Sequence, residues 1–449
     1  MQRAKPTWTE RPPRSAATGV FGWFLFLWMI ATFGSFRTRD VDALVGHNAI
    51  DAQVAFQIGS WLIFGAIAAL LAIRRRTAWW LFDGGPAFWY AGFMVFAGVS
   101  VVYSISPAFS AFYVFQIAVF IVLLASVGLS AKRLLYWISA YAALNWLLVA
   151  FGEAGLTFGM DWIVGAEEMY IRYGGSPGEI WRLSTAIGHP SQLSVVAAMG
   201  AVAAFANDRN DRTPGHWLLF VFLLVTVLAT VSRTAIAGMG LGLVIVMILK
   251  GRTHLMLLAG GALALSVILM PAAVDEAVDY FLRGQSVDTF TSLTGRASIY
   301  ELALERAQAS WWGEGFRSLR ADPLMGRYWG EGVVHAHNLV LQAMIETGIP
   351  GAIMATLCLL SLLYWSLRLA LPSKALRMHA RVAPIGICGP ILAFSALDSG
   401  FVVNLGPFVA AFIAQLLVVR KQVREARLLG QSHVQDGQDV QGYRSSAGL

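Results

Sequence analysis

WLLFVFLLVTVLATVSRTAIAGMGLGLVIVMIL, Trp217 to Leu249, is 33 residues with one charge, Arg233. As one helix it would run roughly 50 Å, well past a hydrocarbon core of ~30 Å. Broken at Arg233, it becomes two short apolar runs, Trp217 to Ser232 and Thr234 to Leu249. The choice fixes the side of the membrane on which every later loop falls, so it decides the topology.

The rest of the chain shows that a membrane is the right frame. Of 449 residues, 57% are hydrophobic and 13% charged, with a mean hydropathy of +0.62. That is about half the charge of soluble domains, too little to cover a water-facing surface. The apolar runs are long and continuous, so they read as helices rather than the short alternating strands of a barrel. Besides the two halves above, the runs are Thr18 to Phe36, Val54 to Ile73, Pro86 to Ile105, Pro107 to Ser130 and Leu134 to Gly152. They continue with Pro190 to Ala206, Leu255 to Val274, Thr347 to Leu367, Val382 to Leu397 and Ser399 to Val419. The first follows Arg3, Lys5, Arg11 and Arg14 with no small-residue cleavage site, and is expected to stay as an uncleaved span.

Loop charge chooses the split. With it, 22 of the 33 Lys and Arg fall on one side, in the two tails and in the short loops that alternate with the spans. Without it the bias collapses. The positive-inside rule therefore predicts twelve spans with both termini in the cytoplasm. The net charge of +7 is accounted for by this pattern, and no nucleic-acid partner is expected. Cys358 and Cys388 lie inside apolar runs and form no disulfide framework.

The expected layout is a cytoplasmic tail over 1–17 and nine helices within 18–274. A large outer loop with short helices covers 275–346, three more helices lie within 347–419, and a polar, disordered tail covers 420–449. The fold class is an all-α polytopic membrane protein.

Several residues could carry chemistry. Arg233 costs a few kcal/mol between two apolar runs, which something must offset. It either snorkels to lipid headgroups or forms an anion site, where its planar fork suits phosphate. The outer loop adds Arg283, Arg296, Arg306, Arg317, Arg320 and Arg327, which by default are solvated loop charges. Arg296 follows a Thr-Gly turn at a helix start, a natural phosphate position. His335 and His337 stand where the loop re-enters the membrane. The positive end of a helix there favours the neutral imidazole that a general base needs. A metal pair and a purely structural pair are the other readings of the two histidines. These residues fit a reaction on a lipid-linked phosphate, and equally a transporter of an anionic lipid or glycan.

The segment His337-Asn338, nine residues, Gly348, two residues, Gly351 resembles a motif of the O-antigen ligase and O-antigen polymerase superfamily. Glu346-Thr-Gly-Ile-Pro-Gly351, Thr294-Gly-Arg296, Trp312-Gly-Glu-Gly315 and Gly188-His-Pro-Ser191 are similar to that family too. Arg233 in Ser232-Arg-Thr-Ala235 resembles its outer-face arginine, although Ala237 stands where a leucine is usual. The Ser104-Ile-Ser-Pro107 region is most similar to exopolysaccharide polymerases.

The resemblance implies a GT-C-like helical fold with a periplasmic catalytic loop in the bacterial inner membrane. It also implies a polyprenyl-pyrophosphate-linked oligosaccharide donor, a glycan acceptor, contact with membrane lipids, a possible chain-length co-polymerase, and neither metal nor other cofactor. Carried onto this chain, His337, Arg233 and Arg296 become catalytic residues. Asn338, His335, Arg172, Arg182, His189 and Arg317 become substrate-binding residues. A polymerase, a ligase that moves glycan from the lipid carrier onto lipid A-core, and a lipid-linked oligosaccharide transporter remain the candidate functions.

Overall fold

The computed structural model describes residues 16–33, 52–75, 85–158, 170–173, 180–185, 187–206, 214–270, 296–318, 335–371, 381–403 and 405–446, with a few single positions between 272 and 282. The helices are α1 (Ala16–Phe33), α2 (Ala52–Arg75), α3 (Pro86–Ser100), α4 (Pro107–Val127) and α5 (Ala131–Phe158). They continue as α6 (Pro190–Ala206), α7 (Pro214–Ala229), α8 (Arg233–Leu249), α9 (Thr253–Leu269), α10 (Arg296–Ala309), α11 (Leu339–Ala370), α12 (Ala383–Leu397) and α13 (Pro407–Ser446). A helix occupies each of the twelve apolar runs. Five of them, α2 to α5 and α11, are long and apolar enough to cross a membrane, and six more are shorter apolar helices. The protein is a helical, multi-pass membrane protein, and among the described residues the only strands are an antiparallel pair, β1 (Tyr170–Tyr173) with β2 (Ile180–Leu183).

The surface is that of a lipid-solvated bundle. Leu62, Ile63, Leu70 and Ile73 on α2 and Leu257, Leu258, Ile268 and Leu269 on α9 are exposed. Contiguous apolar faces of this kind mark a non-aqueous partner. The core lies at the meeting of α3 to α8 and α11 to α13, with Phe93, Phe120, Leu193, Val202, Phe408 and Phe412 fully buried.

The decisive stretch does break. α7 ends at Ala229 and α8 begins at Arg233, with Val231 at φ 51° in the turn. Other boundaries differ from the sequence reading. α11 starts at Leu339, eight residues before the expected Thr347, because Asn338 caps it there. The last run forms helix only from Pro407, after a buried turn in which Gly400 has φ 57°. Its helix then continues to Ser446, through the tail expected to be disordered, since no proline follows Pro407 to interrupt it.

Glycines set the packing that positions the functional end. A Cβ on Gly242 would meet the Gly386 carbonyl at 2.4 Å, and one on Gly389 would meet the Gly238 carbonyl at 2.6 Å. α8 and α12 thus approach backbone to backbone, as small residues allow between membrane helices. The register is antiparallel, so the Arg233 end of α8 lies beside the Leu397 end of α12. α11 runs antiparallel along α3 in the same way: the Cys358 thiol donates to the Pro86 carbonyl at 3.4 Å, and Met354 packs on Gly92. The Leu339 end of α11 therefore lies by the Ser100 end of α3.

Candidate active site

The site is built where α11 begins. Asn338 accepts from the Val340 and Leu341 amides at 2.9 and 3.2 Å. Its Nδ2 donates to the Ala396 carbonyl at 3.3 Å, tying this cap to the last turn of α12. The side-chain oxygen of Asn338, a residue expected to bind substrate, is also the cap of this helix. Just before it, His337 is at φ 49°, and its carbonyl accepts from the Tyr300 hydroxyl at 3.0 Å. The His335 and His337 rings stand nearly perpendicular, centroids 6.5 Å apart.

Further along, α11 is kinked at Gly348, where φ is 72°. Pro350 has no N–H, so the Glu346 carbonyl loses its helical partner. Gly315 replaces it, donating at 2.9 Å, while Glu314 donates to the Ile345 carbonyl at 2.7 Å and Ile349 donates to the Trp311 carbonyl at 3.0 Å. The Trp312-Gly-Glu-Gly315 loop is therefore stitched into the kink. A corner of α3 and α4 holds its other side. The Ser100 hydroxyl accepts from the Phe316 amide at 2.9 Å, the Ser110 hydroxyl donates to the Phe316 carbonyl at 2.6 Å, and the Ile105 amide donates to the Glu314 carbonyl at 3.2 Å. Tyr103 donates to the Trp312 carbonyl.

Charge is ordered within this frame. Arg306 on α10 pairs with Glu314 at 3.1 Å. Arg317 is not the solvated loop charge expected by default. It is 1% exposed, its guanidinium lies over the Tyr113 ring at 5.4 Å, and its backbone amide meets the Glu346 carboxylate.

A second group of residues surrounds the α7–α8 turn. Arg233 is the first residue of α8 and donates to the Leu282 carbonyl at 2.8 Å. Buried Arg182 on β2 donates through Nε to the Thr230 carbonyl at 2.8 Å. His189 stands just before α6, its Nδ1 2.8 Å from the Ser191 hydroxyl and 3.4 Å from the Ser191 amide. Burial, and then the Arg182 charge, hold the His189 imidazole below its usual pKa, so it stays neutral at neutral pH. The turn before His189 is fixed by α5, where the Tyr141 hydroxyl donates to the Ile187 carbonyl at 2.9 Å and Asn145 accepts from Thr185.

Arg296 is the first residue of α10, one turn before Tyr300, and Arg172 lies on β1 opposite Trp181. The side chains of both lie outside the described residues. Among the described residues, no three His, Cys, Asp or Glu side chains converge as a metal set.

The two groups occupy one end of the bundle. The N-termini of α6, α8, α11 and α13 are there, so their dipoles present partial positive charge to the same region. The non-glycine residues with positive φ among those described, Val231, Arg317 and His337, belong to these two groups as well. Strain of that kind concentrates at functional sites.

Residues 218–356 match the family described as O-antigen ligase. The matched segment spans Arg233, Arg296, Arg317, His335, His337 and Asn338, whereas Arg172, Arg182 and His189 precede it. It also contains Tyr300, Gln342 and Glu346, none of which the motif reading singled out as site residues. Gln342 and Glu346 were nonetheless visible as polar residues at i and i+4 in an apolar helix, which calls for an explanation. The chain is also similar to the "Exopolysaccharide production protein ExoQ" of Rhizobium meliloti (strain 1021), 24% identical over 265 residues. That similarity covers 53% of this chain and 59% of the relative.

Proposed function

We propose that the protein is an inverting, metal-independent glycosyltransferase. It polymerises polyprenyl-pyrophosphate-linked oligosaccharide repeat units into an exopolysaccharide or O-antigen. It has twelve spans in the bacterial inner membrane, with both termini cytoplasmic and the site facing the periplasm. The observation that carries this reading is the gathering of His337, Arg233 and the helix N-termini at one end of the bundle. A transporter would instead be expected to hold its charges near the bilayer midplane, at broken helices in both halves.

The chemistry follows from the residues. The acceptor hydroxyl attacks the anomeric carbon of the donor and gives its proton to the neutral imidazole of His337. The new glycosidic C–O bond forms as the bond from that carbon to the pyrophosphate oxygen breaks. The departing polyprenyl pyrophosphate gains the negative charge. Arg233 and Arg296, each at the first position of a helix, stabilise that charge where it develops. Such displacement inverts the anomeric centre. The name of the exopolysaccharide relative favours polymerisation, while the family description keeps glycan transfer to lipid A-core as the second reading. Incubating the purified protein with extracted lipid-linked repeat units and sizing the products separates the two. A ladder of repeat lengths supports the polymerase. Glycan appearing only on added lipid A-core supports the ligase, and no transfer to either overturns the enzyme reading.

A further inference from the structure

We infer that Gln342 is a positioning residue for the histidine turn and that Glu346 sets the direction of its hydrogen bonds. The inference rests on the reading of His337 as the base. Gln342 is fully buried, one turn into α11, and its backbone amide donates to the Asn338 carbonyl at 2.9 Å. Its Oε1 accepts from the Ala336 amide at 2.7 Å. Ala336 is the residue between the two histidines, and its N–H belongs to the peptide that joins it to His335. The Gln342 Nε2 donates to Glu346 Oε1 at 2.6 Å.

The orientation of this side-chain amide follows from chemistry. A backbone N–H can only donate, so the Gln342 oxygen must face Ala336, and the NH2 must then face an acceptor. The Glu346 carboxylate is that acceptor, itself 1% exposed. Arg317 faces it from the loop, and Gly315 holds its backbone carbonyl. A continuous line of hydrogen bonds thus runs from the 311–318 loop through Glu346 and Gln342 to the peptide between His335 and Ala336, one residue before His337. On the other side of His337, Tyr300 holds the carbonyl. The backbone around a non-glycine residue at φ 49° is therefore fastened at its own carbonyl and at the peptide one residue earlier. A left-handed backbone at such a residue persists only when its surroundings over-determine it. Buried polar networks of this kind fix one geometry when complete and fail when half-satisfied.

The simpler role, a polar pair that only stabilises the start of α11, makes a different prediction from positioning. Q342E puts two carboxylates in contact, and E346Q removes the fixed acceptor. The exchange Q342E/E346Q restores both bonds with reversed polarity. The carboxylate then at position 342 accepts from the Ala336 amide and from the side-chain NH2 then at position 346. The variants are compared with wild type and H337A in one polymerisation assay, using lipid-linked repeat units extracted from the cells that make the protein.

For Q342E, kcat is expected to fall about 10- to 100-fold with little change in KM, as a displaced base would produce. The pH dependence of kcat is expected to shift with it. The double exchange is expected to recover kcat and the wild-type pH profile. If Q342E does not fold, Q342M, which leaves the Ala336 amide unpaired without adding charge, is expected to show the same selective loss of kcat. The inference is overturned if the single variants lower only the melting temperature, or if the exchange restores the melting temperature but not kcat. It is equally overturned if Q342M folds and turns over normally while H337A is inactive. An active H337A instead removes the reading of His337 on which the inference rests.

Discussion

Gly315 donates its backbone N–H to the Glu346 carbonyl at 2.9 Å, the bond that Pro350 cannot supply within α11. With the neighbouring Glu314–Ile345 and Ile349–Trp311 bonds, this contact joins the two glycine-rich motifs of the chain, which are separated by some thirty residues of sequence. It also explains the residue types. Pro350 removes a helical donor, Gly348 takes the positive φ that opens the helix, and Gly313 and Gly315 bring loop backbone close enough to replace the lost bond.

Gly348→Ala tests that joint. A Cβ there would meet the Trp311 carbonyl at 2.3 Å while the backbone stays at φ 72°. The left-handed conformation alone costs an alanine about 1–3 kcal/mol, before the steric clash is counted. The expected outcome is a lowered melting temperature and loss of turnover together. A variant of unchanged stability and activity would contradict the stitching of loop and kink.

Much of this architecture was legible in the sequence, for definable reasons. Apolar runs bounded by Pro86, Pro107, Pro190 and Pro384 gave helices their lengths and starts. The break at Arg233 followed from loop charge, which records how the chain inserts. The Ser104-Ile-Ser-Pro107 region stood out, but its task of holding the 311–318 loop was invisible because the two segments are some two hundred residues apart. The burial of Arg317 was equally hidden. Sequence marks it as one loop arginine among six, and only the packing of Tyr113 and Glu346 around it removes it from water. Asn338 read as a motif residue, and the same Asn is also a good helix cap, a dual reading that composition alone does not separate.

Arg233→Lys tests the leaving-group assignment. The lysine keeps the charge but cannot offer a planar fork while also holding the Leu282 carbonyl, which Arg233 meets at 2.8 Å. Loss of one such donor typically costs about 10²- to 10³-fold in rate, and a fall of that order is expected with insertion and melting temperature unchanged. Near-normal turnover would return Arg233 to a headgroup-facing role.

Sidedness can be read directly. Glu301 is an exposed residue on α10. A single cysteine there, in a background lacking Cys358 and Cys388, is expected to react with a membrane-impermeant thiol reagent added to spheroplasts. A cysteine at Arg252, between α8 and α9, is expected to react only after lysis. The opposite pattern would place the site in the cytoplasm and remove the mechanism.

Chelation tests the source of the positive charge. If Arg233 and Arg296 stabilise the leaving group, turnover should persist in excess chelator. Loss of activity that Mg²⁺ or Mn²⁺ restores would assign the pyrophosphate to a metal instead.

The central claim is that His337 takes the proton. His337 is the residue flanked by the Tyr300 and Gln342 anchors, one position before the cap of α11. General-base assistance is worth about 10²- to 10⁴-fold in rate, or roughly 3 to 5 kcal/mol of barrier. The most direct measurement compares His337→Ala and His335→Ala side by side in one polymerisation assay, with donor binding measured in parallel. His337→Ala is expected to lose at least about 10²-fold in polymer formation while binding donor normally, and His335→Ala to lose less. An active His337→Ala beside an inactive His335→Ala would contradict the assignment, and activity in both would turn the account toward a transporter.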